Sequence, residues 1–156
     1  MKKLNKNNKG FSLVELLVVI AIMVVLVGVI APTLLRNIEK SRVSRDIQTL
    51  DSVAAAVQAT LTSEKANAAA PTAVVNLQDM YTDPADAFET EFRLNLPSGK
   101  DLKLTANEVK DSNIYFVIEN GAVTVFSANA ATEGASVTKA NAIKTTDGNT
   151  TFSVTR

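Results

Sequence analysis

The chain has 156 residues with 16 Lys or Arg, 16 Asp or Glu, and no Cys, His or Trp. Without Cys there is no disulfide staple and no thiol chemistry. Without His or Cys, the usual zinc sites and the Ser–His and Cys–His nucleophile pairs are excluded, so the composition argues against an enzyme. The net charge of zero hides an asymmetry: Lys2, Lys3, Lys6 and Lys9 precede any acid, and the remainder holds 12 basic and 16 acidic side chains. A basic head on a mildly acidic body suits a head kept on the cytoplasmic side of a membrane and argues against general nucleic-acid affinity.

Residues 1–10, MKKLNKNNKG, are polar and basic and read as a targeting head. Residues 11–35 follow, with Leu16 to Ala31 entirely apolar or Gly. As a helix, residues 11–35 would be about 37 Å long at ~1.5 Å per residue, enough to cross a bilayer core of about 30 Å. Its side chains are apolar all round, as expected where lipid or other helices surround it.

Helix signals continue through residues 36–65, which contain no Gly and no Pro. Ile47, Leu50, Ala54, Val57 and Leu61 recur at spacings of 3, 4, 3 and 4, one stripe along a helix. Arg36, Glu39, Arg42 and Asp46 follow at 3, 3 and 4, which predicts opposite charges as neighbours on an exposed face. The helix is expected to stop near Lys65, ahead of Pro71. One helix of about 50 residues is far longer than the globular mean of about 12, so an ordinary soluble fold is not expected.

Residues 66–156 are expected to form a β-rich head. Two β-rich runs flank Asn120-Gly121 in IYFVIENGAVTVF, the pattern of a hairpin with a two-residue turn. That register sets Ile118 opposite Val123 and Phe116 opposite Val125. Ile114, Phe116, Ile118, Val123 and Val125 then share a face that packs on the Ile47–Leu61 stripe. Further strands are expected at Leu102–Leu104 and Thr151–Thr155, a short helix within 78–92, and loops over 128–149. The fold class is therefore α+β: one long N-terminal helix with a small antiparallel sheet on its C-terminal half.

Gly10-Phe11-Ser12-Leu13-Val14-Glu15, set between a basic head and an apolar helix, resembles the prepilin signal of type IV pilins and of type II secretion pseudopilins. The match covers residues 9–35; over 36–156 only the layout agrees. The resemblance implies a leader, residues 1–10, cut off between Gly10 and Phe11 by a prepilin peptidase, which then methylates the new Phe11 amine. It implies a single-pass protein of the cytoplasmic membrane, N-terminus inside, that a membrane assembly platform polymerises with copies of itself into an extracellular helical filament. No cofactor is implied. Many pilins close a C-terminal loop with two Cys, which this chain lacks, so Cys-poor pilins or a pseudopilin are nearer.

The residues give these roles a physical basis. Gly10 lets a protease approach the backbone closely. A carboxylate in mid-bilayer costs roughly 2.5–3.5 kcal/mol, so Glu15 needs a partner. The α-amino group of Phe11, one turn earlier on the same face, is one such partner, in its own chain or in a neighbour. By the resemblance, Glu15 registers one subunit against the next. Pro32 lacks an N–H and crowds the Gly28 carbonyl, which predicts a kink, and by resemblance a segment that melts on packing. Asp83, Asp86, Glu89 and Glu91 form an acidic cluster, weak candidates for calcium, since their spacing fits no metal loop and suits a solvated turn. Strong DNA binding is not expected from a head with 7 basic and 11 acidic residues.

Three rivals are weighed. A secretory signal cut after Ala31 is opposed by Pro32 and by Glu15 inside the apolar run. A single-pass anchored binding protein leaves Gly10, Phe11 and Glu15 without a reason. A membrane enzyme lacks His and Cys.

Overall fold

The apolar run and the stripe that follows it fold as one helix in the computed structural model, which describes residues 11–82, 85–129, 138, 142–144 and 151–156. The helix, α1, spans Leu13–Leu61. The described residues fall into two units, one ending at Ile38 and the other beginning at Glu39. In the first, the side chains lie exposed on every face.

The second unit is built on the later turns of α1. Leu50, Val53, Ala54 and Val57 are fully buried, with Ile47 and Leu61 packed at the edges. This is the stripe expected from the sequence. α1 stops at Leu61 rather than near Lys65. Thr62 turns back on Ala59, its N–H and its hydroxyl both donating to that carbonyl, and Ser63 is extended. The polar side chain thus competes with the helical ladder. A short helix, α2, restarts at Glu64–Ala68.

Four antiparallel strands form one sheet in the order β1 (Val75–Asn76), β2 (Asn113–Glu119), β3 (Ala122–Ala128) and β4 (Ser153–Thr155). The β2–β3 hairpin has the predicted register, Ile118 opposite Val123 and Phe116 opposite Val125. Asn120 and Gly121 both have positive φ, 52° and 81°, as a tight primed turn requires. Ile114, Phe116, Val123 and Val125 are buried in the same core as the α1 stripe, with Ile118 packed against it. The opposite face is also covered: Tyr115, Val117, Phe126 and Ala128 form a second buried cluster, in which the Tyr115 and Phe126 rings stack at 5.9 Å.

Between β1 and β2 lie a short tight helix, Leu77–Tyr81, and α3, Ala87–Asn95, in the region where a helix was expected. Phe88 and Phe92 of α3 stack with Phe116 of the sheet at 6.2 Å each. Burying such a ring contributes about 1.5–3 kcal/mol. Residues Leu102–Leu104 are not a strand. Leu104 is buried, but the next backbone N–H groups, those of Thr105 and Ala106, bond to the Asp46 carboxylate instead of to a neighbouring strand. The expected strand Thr151–Thr155 is shorter, Ser153–Thr155, with Thr151 in a single bridge to Lys144. Most of the loop expected over 128–149, including the Asp147-Gly148 turn, lies outside the described residues.

Candidate functional site

The site indicated by the sequence is the first unit. α1 opens where the Ser12 carbonyl accepts a hydrogen bond from Leu16 N at 3.2 Å. Phe11 therefore precedes the helix, and Glu15 occupies its first turn, where the exposed N–H groups favour negative charge. The expectation that Phe11 and Glu15 share a helical face is corrected: helical geometry begins at Leu13, so the i to i+4 relation does not hold for Phe11. Gly10 lies outside the described residues.

Glu15 is exposed, and the apolar side chains around and beyond it are uncovered, with Phe11 and Leu13 each 79% exposed. α1 is long and apolar enough to cross a membrane, and none of its most apolar window is buried in the chain. Apolar surface of this extent in water is strongly unfavourable and demands a covering.

Gly28 and Pro32 are both inside α1, which passes through them without interruption. A Cβ built on Gly28 would meet nothing within 4 Å. Among the described residues, no packing therefore requires a glycine there. Its physical effect in the chain is on the helix itself, which it weakens one turn before the missing N–H of Pro32.

In the head, two of the four clustered acids have a structural task. Asp86 caps α3: its Oδ1 accepts from Glu89 N at 2.8 Å, while Glu89 Oε2 accepts from Asp86 N at 3.3 Å. Such a reciprocal box satisfies two donors at a helix start. Glu91 is half-buried on the next turn, and Asp83 lies outside the described residues. Among the described residues no three acidic side chains converge on a common point.

Sequence reasoning missed Glu39 and Asp46. They were expected on an exposed ionic face, and the Arg42–Glu39 contact is present at 3.4 Å. Asp46, however, is buried, its Oδ2 accepting from Thr105 N at 2.7 Å and Ala106 N at 2.6 Å, and its Oδ1 from the Thr105 hydroxyl at 3.0 Å. Glu39 accepts from Asn107 N at 2.6 Å and from Asn107 Nδ2 at 3.0 Å. No local signal marks this pairing, because the partners are some 60 residues away.

Residues 5–31 match the family model of the prokaryotic N-terminal methylation motif. The chain carries the prepilin-type signal of type IV pilins and pseudopilins. Neither the curated proteins nor the solved structures gave a match. The prepilin-type signal covers Phe11, Glu15 and Gly28, while Pro32 falls one residue past it.

Proposed function

We propose that this prepilin-type chain is a structural subunit of a type IV pilus-like surface filament. The observation that carries the reading is the methylation motif at residues 5–31, leading into a helix whose apolar side chains the described residues leave uncovered on every face. A rod of this kind needs apolar surroundings in all directions. The cytoplasmic membrane supplies them first, with the N-terminus inside, and packed rods of other copies supply them in the extracellular filament.

In this reading residues 1–10 are a leader, residues 11–35 the membrane and filament-core segment, residues 36–65 its amphipathic continuation, and residues 66–156 the head. A prepilin peptidase cuts between Gly10 and Phe11 and methylates the Phe11 amine. The membrane platform of the assembly machinery then adds the subunit to the fibre. Glu15 pairs with a Phe11 amine and fixes the offset between subunits. The segment from Gly28 to Pro32, helical here, loosens when rods pack. The head needs no catalytic group.

The absence of Cys fits a Cys-poor pilin and equally a second reading, a pseudopilin that forms a short secretion piston. Mass spectrometry and electron microscopy of sheared cells test both. Mature chains are expected to begin at N-methyl-Phe11, in abundant surface fibres labelled by antibody to the head. Mature chains with no surface fibres favour the piston, and chains that retain Met1 overturn both.

A further inference from the structure

The stretch just past the apolar run has an electrostatic character that its composition conceals. Between Leu35 and Leu50 the acids are Glu39 and Asp46 and the bases Arg36, Lys40, Arg42 and Arg45. The fold turns both acids onto the loop at Thr105–Asn107, where three backbone N–H groups, a hydroxyl and a side-chain amide occupy them. Arg45 is also engaged, donating to the Thr105 hydroxyl at 2.9 Å. Arg36, Lys40 and Arg42 remain exposed, Arg42 with one long contact to Glu39.

Lys40 and Arg42 stand on nearly opposite sides of the helix, about 200° apart at ~3.6 residues per turn, and differ in depth by only about 3 Å. A single protein partner docked on one side would meet one of them. A layer that surrounds the helix meets both, and before assembly that layer is the bilayer. Lys40 and Arg42 follow Leu35 by five and seven residues, within about two helical turns. The polar layer of a bilayer is roughly 5–8 Å thick on each side, and long basic side chains reach back along their helix.

We infer that Lys40 and Arg42 form a clasp for the headgroups of anionic phospholipids, in the leaflet the helix enters last. The contact rests on the membrane-anchored reading above. It holds the waiting subunit at a fixed depth, and the cations leave the lipid phosphates when the rod leaves the bilayer.

The test reconstitutes the full chain in vesicles of phosphatidylcholine alone or with phosphatidylglycerol, and measures the motionally restricted fraction of each spin-labelled lipid. Flotation of the chain with plain phosphatidylcholine vesicles checks the anchor independently. The wild-type chain should prefer phosphatidylglycerol. Lys40→Gln/Arg42→Gln should lower that preference by about twofold or more, since each cation near an anionic surface contributes measurably. The leader lysines are a constant background to this difference. Lys110→Gln, an exposed charge on the head, should leave the preference unchanged. An equal preference in the double variant, or an equal loss in Lys110→Gln, overturns the clasp. So does a double variant that loses self-association in phosphatidylcholine and keeps its lipid preference, which assigns the cations to a second copy. A chain that does not float overturns the membrane reading and the clasp with it.

Discussion

The Asp46 Oδ2 atom lies 2.6 Å from the backbone nitrogen of Ala106, sixty residues further along the chain. The same carboxylate takes Thr105 N and the Thr105 hydroxyl, so one buried side chain fixes the loop to α1. Removing it would leave buried donors unpaired, at about 1–3 kcal/mol each. Asp46→Ala should therefore destabilise the head by about 3 kcal/mol, a drop of roughly 10 °C in its thermal midpoint. Asp46→Asn should cost much less: its oxygen can accept from both N–H groups and its amide can donate to the hydroxyl. Thermal unfolding followed by tyrosine near-UV circular dichroism separates the two, and equal losses would mean that the charge, not the bonding pattern, holds the loop.

A second prediction concerns Tyr81 and Gly99. The Tyr81 hydroxyl donates to the Leu96 carbonyl, and a Cβ on Gly99 would overlap that hydroxyl and approach Leu96 Cδ2 to 2.9 Å. Gly99→Ala should cost about 1–3 kcal/mol, the usual range for overpacking a filled site. Tyr81→Phe removes the obstructing oxygen, so the two changes together should cost less than their separate costs added, a coupling that a double-mutant cycle reads directly. Burial is the largest influence on the Tyr81 phenol and raises its pKa above 10.0. A raised phenol gives up its proton less readily folded than unfolded, so head stability should fall as pH rises past about 10, a fall that should be absent in Tyr81→Phe.

Arg156 clasps Asp51 through two bonds of 2.6 and 2.7 Å at the β4 edge. Hydrogen bonding to Arg156 is the main cause that lowers the Asp51 pKa below 3.8. The folded carboxyl is thus depressed relative to the unfolded one. Its contribution is fully present above the unfolded value and is lost as pH falls through the folded value. Both side chains are some 40% exposed, so solvent and salt screen the pair and its effect on stability is small. Carboxyl-carbon NMR should place the Asp51 titration below 3.8 in the wild type, and Arg156→Ala should move it upward to the ordinary carboxylate range.

What was legible in the sequence was local. Asn120-Gly121 admits a tight primed turn, and a two-residue turn fixes every pairing in β2 and β3. The Ile47–Leu61 spacing fixes which side of α1 is buried. The unit containing Phe11, Glu15 and Gly28 was legible as a linear motif, because the methylation motif is itself linear. The roles of Glu39 and Asp46 were not, since their charge spacing on the helix is equally that of a solvated face, and their partners come from a distant loop. Leu102–Leu104 alternates like a strand, yet its following N–H groups find a carboxylate before they find a ladder. The Asp86-x-x-Glu89 spacing carried a helix-start signal inside what was read as an acidic cluster.

The last prediction concerns Glu15 and rests on the proposed filament. An exposed acid in the first turn of an apolar helix is favoured by the helix dipole but penalised by roughly 2.5–3.5 kcal/mol once surrounded by lipid. Glu15→Ala should therefore insert into the membrane at least as well as the wild type, and Gly10–Phe11 cleavage should proceed normally. Filament yield should fall tenfold or more, because without the acid a neighbouring Phe11 amine is buried with no counter-charge, and losing as little as about 1.4 kcal/mol per subunit changes an equilibrium tenfold. Glu15→Gln should fail in the same way: it keeps the size and hydrogen-bonding capacity of the side chain but not the charge. Sheared-filament mass per cell, measured beside the mass of the processed subunit, gives the answer. Wild-type yields from Glu15→Gln would show that shape alone sets the subunit offset.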